Sequence, residues 1–485
     1  MGETHLDNTL VFESAAPSVA PGDLHVREMR GREALSTLYE FDVTLECNID
    51  GGIDPDGIQE LLSASCQLGY GPGGVYRISG VLRDIRLTEI EVSGQTTTYQ
   101  ATIVPRFWLF QLNRRSRCFN DMSVPDIIEQ IFGEWGLSDY ELRLDGSYAA
   151  REYVVQYEES DFDFICRWME RLGIFYFFEH GEAGETLVLA DSNSAFVPAT
   201  DHPEVTYSRQ DVGVVGGIQH LTRLDRRVPS RVHVRDYNWR TPATIVQGNH
   251  DVDADHGVGL QAYVGDHFSD NGAGATQAQV HAERMGATKQ TYQAWTTNPD
   301  YAPGVRIAVT GAPVGELDAD LVLTQVTHHA AQTAGGAGLG NYRNDIEAIP
   351  YATPYRPPLV ASWPRIEGII HAKIDAENVS SAAPIDDKGR YKVVFKYDID
   401  GAFGGRASRW VRKAEPYSGP SYGMHFTLHV GAEVAIAHIH GDPDRPVIVG
   451  SIPNAATTSP LTQTDATRSA IRTRSGILID FQDDA

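Results

Sequence analysis

Cysteine is scarce and never clustered. Cys47, Cys66, Cys118 and Cys166 form no CxxC pair, which argues against a zinc ribbon and a disulfide framework and fits buried single thiols made in a reducing cytosol. No run of about 18 apolar residues occurs, so no membrane-spanning helix is expected. The first residues, MGETHLDNTLVFES, lack a basic segment followed by an apolar one, and export would need a route without a cleaved signal. Basic charge is short as well: 40 Lys and Arg stand against 65 Asp and Glu, a net charge of −25. That balance repels phosphate backbones and disfavours nucleic acid as a partner. Residues 366–485 hold 15 acidic and 13 basic side chains, so −23 of the charge lies in the first 365 residues.

What is present is β-rich. With 485 residues the chain exceeds one ordinary core and divides into two to four domains. Its 46 Gly and 25 Pro, with short alternating segments and few long amphipathic ones, point to a mainly β protein rather than a wound βαβ sheet. LHVREMRGREALSTLYEFDVTLEC reads as two strands around Gly31, and YRISGVLRDIRLTEI with TTTYQATIVP continues a meander or barrel. Two helices interrupt it. The first opens at Ser123, with Pro125 and Asp126 in its first turn, and lines up Ile127, Ile128, Ile131 and Phe132. The second opens at Ser160 with Asp163 in the capping-box position, lines up Ile165, Trp168, Met169 and Leu172, and stops at Gly173. IFYFFEH and TLVLADS around GEAGE make a hairpin.

IQHLTRLDRR, SRVHVRDYNW and ADLVLTQVTHHA are further strand candidates, and AAQTAGGAGLG reads as a mobile loop. AIPYATPYRPPLVASWP has no period and is Pro-rich, so it is expected to be a semi-rigid linker at the main domain boundary. Beyond it, GIIHAKID, YKVVFKYD, RWVRKAEP, HFTLHV, EVAIAHIH and VIVGSIP give five to seven strands in residues 366–455 without a helix, the pattern of an OB-like barrel. The tail ends on the strand-like GILIDF.

These segments resemble the VgrG family of type VI secretion spike proteins. SRCFNDMSVPDIIEQIF and ESDFDFICRWMERLGIFYFFEHG are similar to the helical insert of its hub, DDKGRYKVVFKYD, RWVRKAEP and FTLHVGAEVAIAHIHGDPDRPVIVGSIPN to its OB-fold region, and RTRSGILIDFQDD to the entry of its C-terminal β-helix. The resemblance implies a phage-hub-like region over 1–350, with two β-barrels and a helical insert at about 120–175. It further implies a Pro-rich linker over 351–365, an OB-fold barrel over 366–455, and over 456–485 the start of a trimeric β-helix. It also implies a structural homotrimer that caps a tube of Hcp hexamers, sits on a baseplate, carries effectors or adaptors, and bears a PAAR-repeat protein at its tip. Such a spike assembles in the cytoplasm and is driven without a signal peptide through a target envelope. The family usually continues into a long β-helix, whereas this chain ends at Ala485, which puts direct PAAR attachment in doubt. An enzymatic spike is a rival, but an added effector domain needs on the order of 100 residues. The same ring and barrel would also serve a phage-like or extracellular injection particle.

No catalytic, cofactor or metal residue is assigned. Gly419, Ser421 and Gly423 fit G-x-S-x-G, yet EPYSGP precedes and MHFTLHV follows, where a nucleophile elbow needs a strand and then a helix. Gly69, Gly71 and Gly74 fit G-x-G-x-x-G but join strands, so no helix N-terminus faces a phosphate. Glu158, Glu159, Asp161 and Asp163 invite comparison with paired glycosidase acids; at a helix start they more simply satisfy free N–H groups. His438 and His440 on one strand, with His425 and His429 on a neighbour, could hold a metal, but no supporting shell is evident. Asp442, Asp444 and Arg445 in DPDRP read as a turn, without the spacing of a calcium loop.

Overall fold

The structure is a computed structural model that describes residues 9–49, 52–90, 96–208, 217–332, 341–378, 382–399, 401 and 403–483. It is mainly β and divides into two compact units. The first comprises Met1–Leu112, Ile131–Ser147 and Ile165–Ser362; the second comprises Asn113–Gln130, Tyr148–Phe164 and Trp363–Ala485. The expected insert is therefore shared between them. Its strands Arg115–Phe119 and Val154–Glu159 pair with one another in the second unit, where Tyr153 and Val155 join the core of the OB barrel.

Among the described residues of the first unit, thirteen strands form one sheet. The N-terminal meander runs into the later strands through Leu24–Ala34, which pairs antiparallel with Ala319–Ala331. The turn expected at Gly31 lies elsewhere: Leu24–Ala34 continues through it, and the chain reverses at Ser36, whose φ is 56°. Gly31 is there for a different reason. A Cβ at that position would lie 2.0 Å from the Phe41 ring, which crosses the backbone of the neighbouring strand.

The chain has four α-helices among the described residues: α1 Pro55–Ser63, α2 Val124–Trp135, α3 Asp161–Leu172 and α4 Asn271–Gly286. The two expected ones begin as read. In α2 the Asp126 N–H donates to Ser123 Oγ at 3.3 Å, and in α3 the Asp163 N–H donates to Ser160 Oγ at 3.0 Å. Ile127, Ile128, Ile131, Phe132, Ile165, Trp168 and Met169 are buried, Leu172 only partly. The helices α1 and α4 are not among those expected from the sequence, and α4 carries little hydrophobic period. In α4 the small Gly274, Ala278 and Ala282 are buried along with Gln277, Val280 and His281, and a Cβ on Gly248 of the adjoining strand would lie 2.1 Å from the Gly274 carbonyl. Contact is made by removing side chains, which leaves little amphipathic signal.

The Pro-rich run is strapped down as far as Ala361, all within the first unit. The Arg356 guanidinium donates to the carbonyls of Gly173 at 3.0 Å and Asp191 at 2.6 Å and pairs with Glu283 at 2.7 Å. Arg284 donates to the Pro357 carbonyl at 2.6 Å, and Glu170 accepts the N–H groups of Val360 and Ala361. A segment without internal period thus satisfies its backbone through side chains of the body beneath it. Most of the Gly/Ala-rich loop, 333–340, lies outside the described residues.

In the second unit, Lys392–Phe395, Ile369–Asp375, Glu433–His438, Pro446–Ser451 and Arg412–Lys413 form a five-stranded sheet in that order. Val393, Phe395, Val411, Val434, Ile436 and Ile448 fill its core. HFTLHV, expected as a strand, is irregular, with His425, Phe426 and Thr427 exposed and Leu428 buried in the barrel core. Side chains take the place of a ladder: Lys413 Nζ donates to the Phe426 carbonyl at 3.0 Å, and the Leu428 N–H donates to Tyr391 Oη at 3.2 Å. GILIDF finds a partner within its own chain, since Leu478–Gln482 pairs antiparallel with Arg468–Arg472.

Candidate functional site

The motifs that could have carried catalysis resolve into local geometry. Ser421 sits at the tip of a short hairpin between Ser418–Gly419 and Tyr422–Gly423, exposed, with φ of 61°. No helix follows it. The Gly69–Gly74 run is a turn between the paired strands Ser65–Tyr70 and Tyr76–Ile90, with left-handed backbone at Gly71, Gly73 and Gly74.

The acidic group is a structural centre of the second unit. Asp161 is fully buried and accepts from Arg115 at 3.1 Å, Arg117 at 3.2 Å, Gln156 at 2.8 Å and Asn113 at 2.5 Å. A buried carboxylate so enclosed is neutralised by two guanidinium groups and has no open face for substrate. Asp163 serves Ser160, and Glu159 accepts the Tyr157 N–H at 3.3 Å. The arginines are what the sequence reading missed; Arg115 and Arg117 alternate on one strand opposite Gln156 and Glu159.

The histidines do not share a strand face. His438 ends its strand and His440 lies in a left-handed turn with φ of 57°. His425 bonds Glu415 at 2.7 Å and Tyr391 at 3.0 Å, and Arg474 donates to His429 at 2.9 Å. Among the described residues these four join no set of three ligand atoms that could hold one ion. Burial pushes His438 down to about 4, against the nearby Asp442. In DPDRP, Asp442 accepts the Asp444 N–H at 3.0 Å and Asp444 accepts the Val155 N–H at 2.6 Å, the loop-fixing role read from the sequence.

A cavity of about 690 Å³ opens in the first unit, lined by Glu33, Tyr70, Tyr76, His180, Glu182 and Asp300 among others. His328 bridges Glu33 at 2.9 Å and Tyr342 at 2.7 Å, while the Ser79 N–H donates to His180 Nδ1 at 3.2 Å. Burial lowers His180 to about 4. Burial likewise raises Glu185 to about 7, despite hydrogen bonds from Tyr39 and the Arg106 N–H. The Ser79 hydroxyl is not bonded to His180, so the pair lacks the geometry of an activated nucleophile.

The surfaces suited to assembly are apolar and strand-built. On the C-terminal hairpin Ile471 stands opposite Ile479 and Ser469 opposite Phe481, and Ile471, Ile477, Ile479 and Phe481 are all exposed. An exposed row of this kind on a two-stranded ribbon has no second layer among the described residues.

A large hub sheet and an OB-type barrel in one chain define a class, the phage-tail-like hub joined to an injector barrel. Residues 32–334 match the phage tail baseplate hub (GPD) family, and residues 380–452 match the type VI secretion system/phage-baseplate injector OB domain. The type VI secretion system spike protein VgrG1c of Pseudomonas aeruginosa is 27% identical over 484 residues, covering 94% of this chain. The chain spans 64% of that relative's length. The E. coli c3393 protein, a type VI secretion component with similarity to T4 tail proteins gp27 and gp5, superposes with a TM-score of 0.67 at 22% identity, covering 91% of this chain and 99% of that one. A chain of the half-lidded Francisella PdpA-VgrG complex is similar in fold, with a TM-score of 0.63 at 11% identity over 99% of this chain and 83% of that one. The chain belongs to the phage tail baseplate hub family and, within it, to the VgrG spike proteins.

Proposed function

We propose that this chain is a non-enzymatic hub and spike base of a type VI secretion apparatus. Three copies form a ring that caps the Hcp tube on the baseplate, and sheath contraction propels the assembly with its effectors into a target cell. The observation that carries this reading is the exposed apolar hairpin Arg468–Gln482 at the end of a hub and OB barrel. Three such hairpins brought together bury one another's apolar face and continue a spike. The strapped segment before the barrel suits a part that transmits force, since its backbone is held by Arg284, Arg356 and Glu170. A PAAR-repeat protein would seat beyond the hairpins, and effectors or adaptors on the outer surfaces. Assembly occurs in the cytoplasm and export through the contractile machine; among the described residues no helix is long and apolar enough to cross a membrane.

Native mass spectrometry of the chain with and without purified Hcp tests the reading. A trimer that binds Hcp hexamers is expected. A monomer at micromolar concentration that ignores Hcp would overturn it.

A further inference from the structure

Residues 231–286 form a small module whose outer face carries Arg231 and Arg235 beside exposed apolar side chains. Its three strands lie in the order Val246–Asp251, Arg231–Asp236, Leu260–Val264, and α4 covers one side. Val232, Val234 and Val246 point into the core with Phe268, Ala278 and Ala282. The alternate residues face outward in rows fixed by register. Arg231, His233 and Arg235 stand beside Leu260, Ala262 and Val264 on one flank and beside Asp251, Asn249 and Gln247 on the other.

The strand Leu260–Val264 is an edge with no strand beyond it in the sheet among the described residues. Leu260 is 58% exposed and Val264 77%, and Val258, in line with them, is 63% exposed. Free edges are normally guarded by charge, proline or a bulge; this one has none of these over Leu260–Val264. Its backbone is also available. The Gly265 N–H donates to the Arg235 carbonyl at 3.0 Å, and in a parallel ladder alternate residues turn both polar groups to the same side. Gln261 and Tyr263 therefore serve the inner ladder, and Leu260, Ala262 and Val264 turn their N–H and C=O groups outward.

We propose that this edge is a docking strand for an extended, acidic segment of a partner protein. The segment adds to Leu260–Val264 by main-chain hydrogen bonds, lays apolar side chains beside Leu260 and Val264, and directs carboxylates to Arg231 and Arg235. Ala262, diagonal to both Arg231 and Arg235, is small enough to leave a guanidinium a path over the row, and the added strand lies only about 4.8 Å beyond the edge. Arg235 has no carboxylate in salt-bridge contact among the described residues, and Arg231 holds only the exposed Asp251 at 3.3 Å. A second copy of this chain fits the edge poorly, since self-pairing would place one arginine row on each side of the joint.

The test uses the full chain and two fluorescein-labelled ten-residue peptides, one alternating glutamate with valine and the other lysine with valine, followed by fluorescence anisotropy. The glutamate peptide is expected to bind, more weakly as salt rises, and the lysine peptide not to bind. Ala262→Pro removes an outward N–H without touching the inner ladder, and it should weaken binding by about tenfold or more. Arg231→Glu with Arg235→Glu should do the same at unchanged circular dichroism, and decides the matter if the proline variant misfolds. Hydrogen exchange should slow at Leu260, Ala262 and Val264 when the glutamate peptide is bound. Equal binding of both peptides, binding of neither, or indifference to the arginine variants overturns the proposal. So does self-association of the wild type through this edge, abolished by Ala262→Pro, which would make a second copy the occupant.

Discussion

The OB barrel and the C-terminal hairpin belong to the same unit and are written in the same alternating code, yet they treat their apolar residues in opposite ways. Val393, Phe395, Val434, Ile436 and Ile448 alternate along barrel strands and are buried because the sheet and the strands Arg115–Phe119 and Val154–Glu159 close over them. Ile477, Ile479 and Phe481 alternate just as well and are exposed at 67%, 52% and 59%. Alternation specifies a face; what covers that face is decided by the number of layers available. In the barrel the cover is intramolecular. At the hairpin, on the function proposed above, it comes from other copies.

The comparison breaks most decisively at the hairpin. Ile479→Asp with Phe481→Asp should abolish the trimer, shifting native mass from three chains to one while leaving the thermal unfolding of the barrel in place. A trimer that survives both substitutions would locate the subunit contacts elsewhere. The next largest effect contrasts two phenylalanines. Phe395→Ala removes a fully buried ring and should cost about 3–5 kcal/mol. Phe481→Ala, made in the dissociated monomer, should stay within about 0.5 kcal/mol. Urea unfolding of both variants at a concentration too low for assembly measures the difference.

Much of this was legible in the sequence where period and punctuation agree. Ser160 with Asp163 and Ser123 with Asp126 set helix starts that the structure keeps, and the hairpin around GEAGE closes as Phe175–Gly181 against Gly184–Ala190. The reading failed where one residue type serves two purposes. Gly31 looked like a turn because glycine usually marks one, whereas here it makes room for Phe41. HFTLHV alternates like a strand but is held by Lys413 and Tyr391 instead. GILIDF is strand-like in the sequence but does not name its partner there: Arg468–Arg472 is mostly polar and charged, so the pairing rests on backbone groups that composition does not reveal. The site residues were hardest: the meaning of Asp161 depends on Arg115 and Arg117, more than forty positions earlier in the chain.

His438 sharpens the comparison from the barrel side, because a neutral imidazole is part of what that unit encloses. Both ring nitrogens lack a hydrogen-bond partner, and burial holds the group at about 4 against an ordinary 6.5. The folded state therefore binds its proton less readily than the unfolded chain. The stabilisation is fully present above about 6.5 and is lost as pH falls toward 4. The hairpin has no such buried group. Between pH 7 and pH 4 the wild type should lose on the order of 2–3 kcal/mol more than His438→Leu. Urea midpoints across that range check it, and parallel pH profiles for the two proteins would remove His438 as the cause.

The smallest effect is expected at the other exposed hairpin, around Ser421. Its two strands are only Ser418–Gly419 and Tyr422–Gly423, and no second layer is needed because the Tyr422 ring covers Gly419, where a Cβ would lie 2.2 Å from that ring. The serine side chain stands at the tip, and what is unusual about it is the backbone, at φ of 61°. Alanine suffers the same left-handed strain as serine, so Ser421→Ala should shift stability by less than about 0.5 kcal/mol and leave assembly and secretion unchanged. Glycine removes the strain, so Ser421→Gly should stabilise the fold by roughly 1 kcal/mol. Secretion assays and urea unfolding of the two variants separate side chain from backbone. If Ser421→Ala abolished secretion while fold and trimer stayed intact, the hydroxyl itself would have a function, and the G-x-S-x-G match would have to be taken as chemistry rather than as a turn.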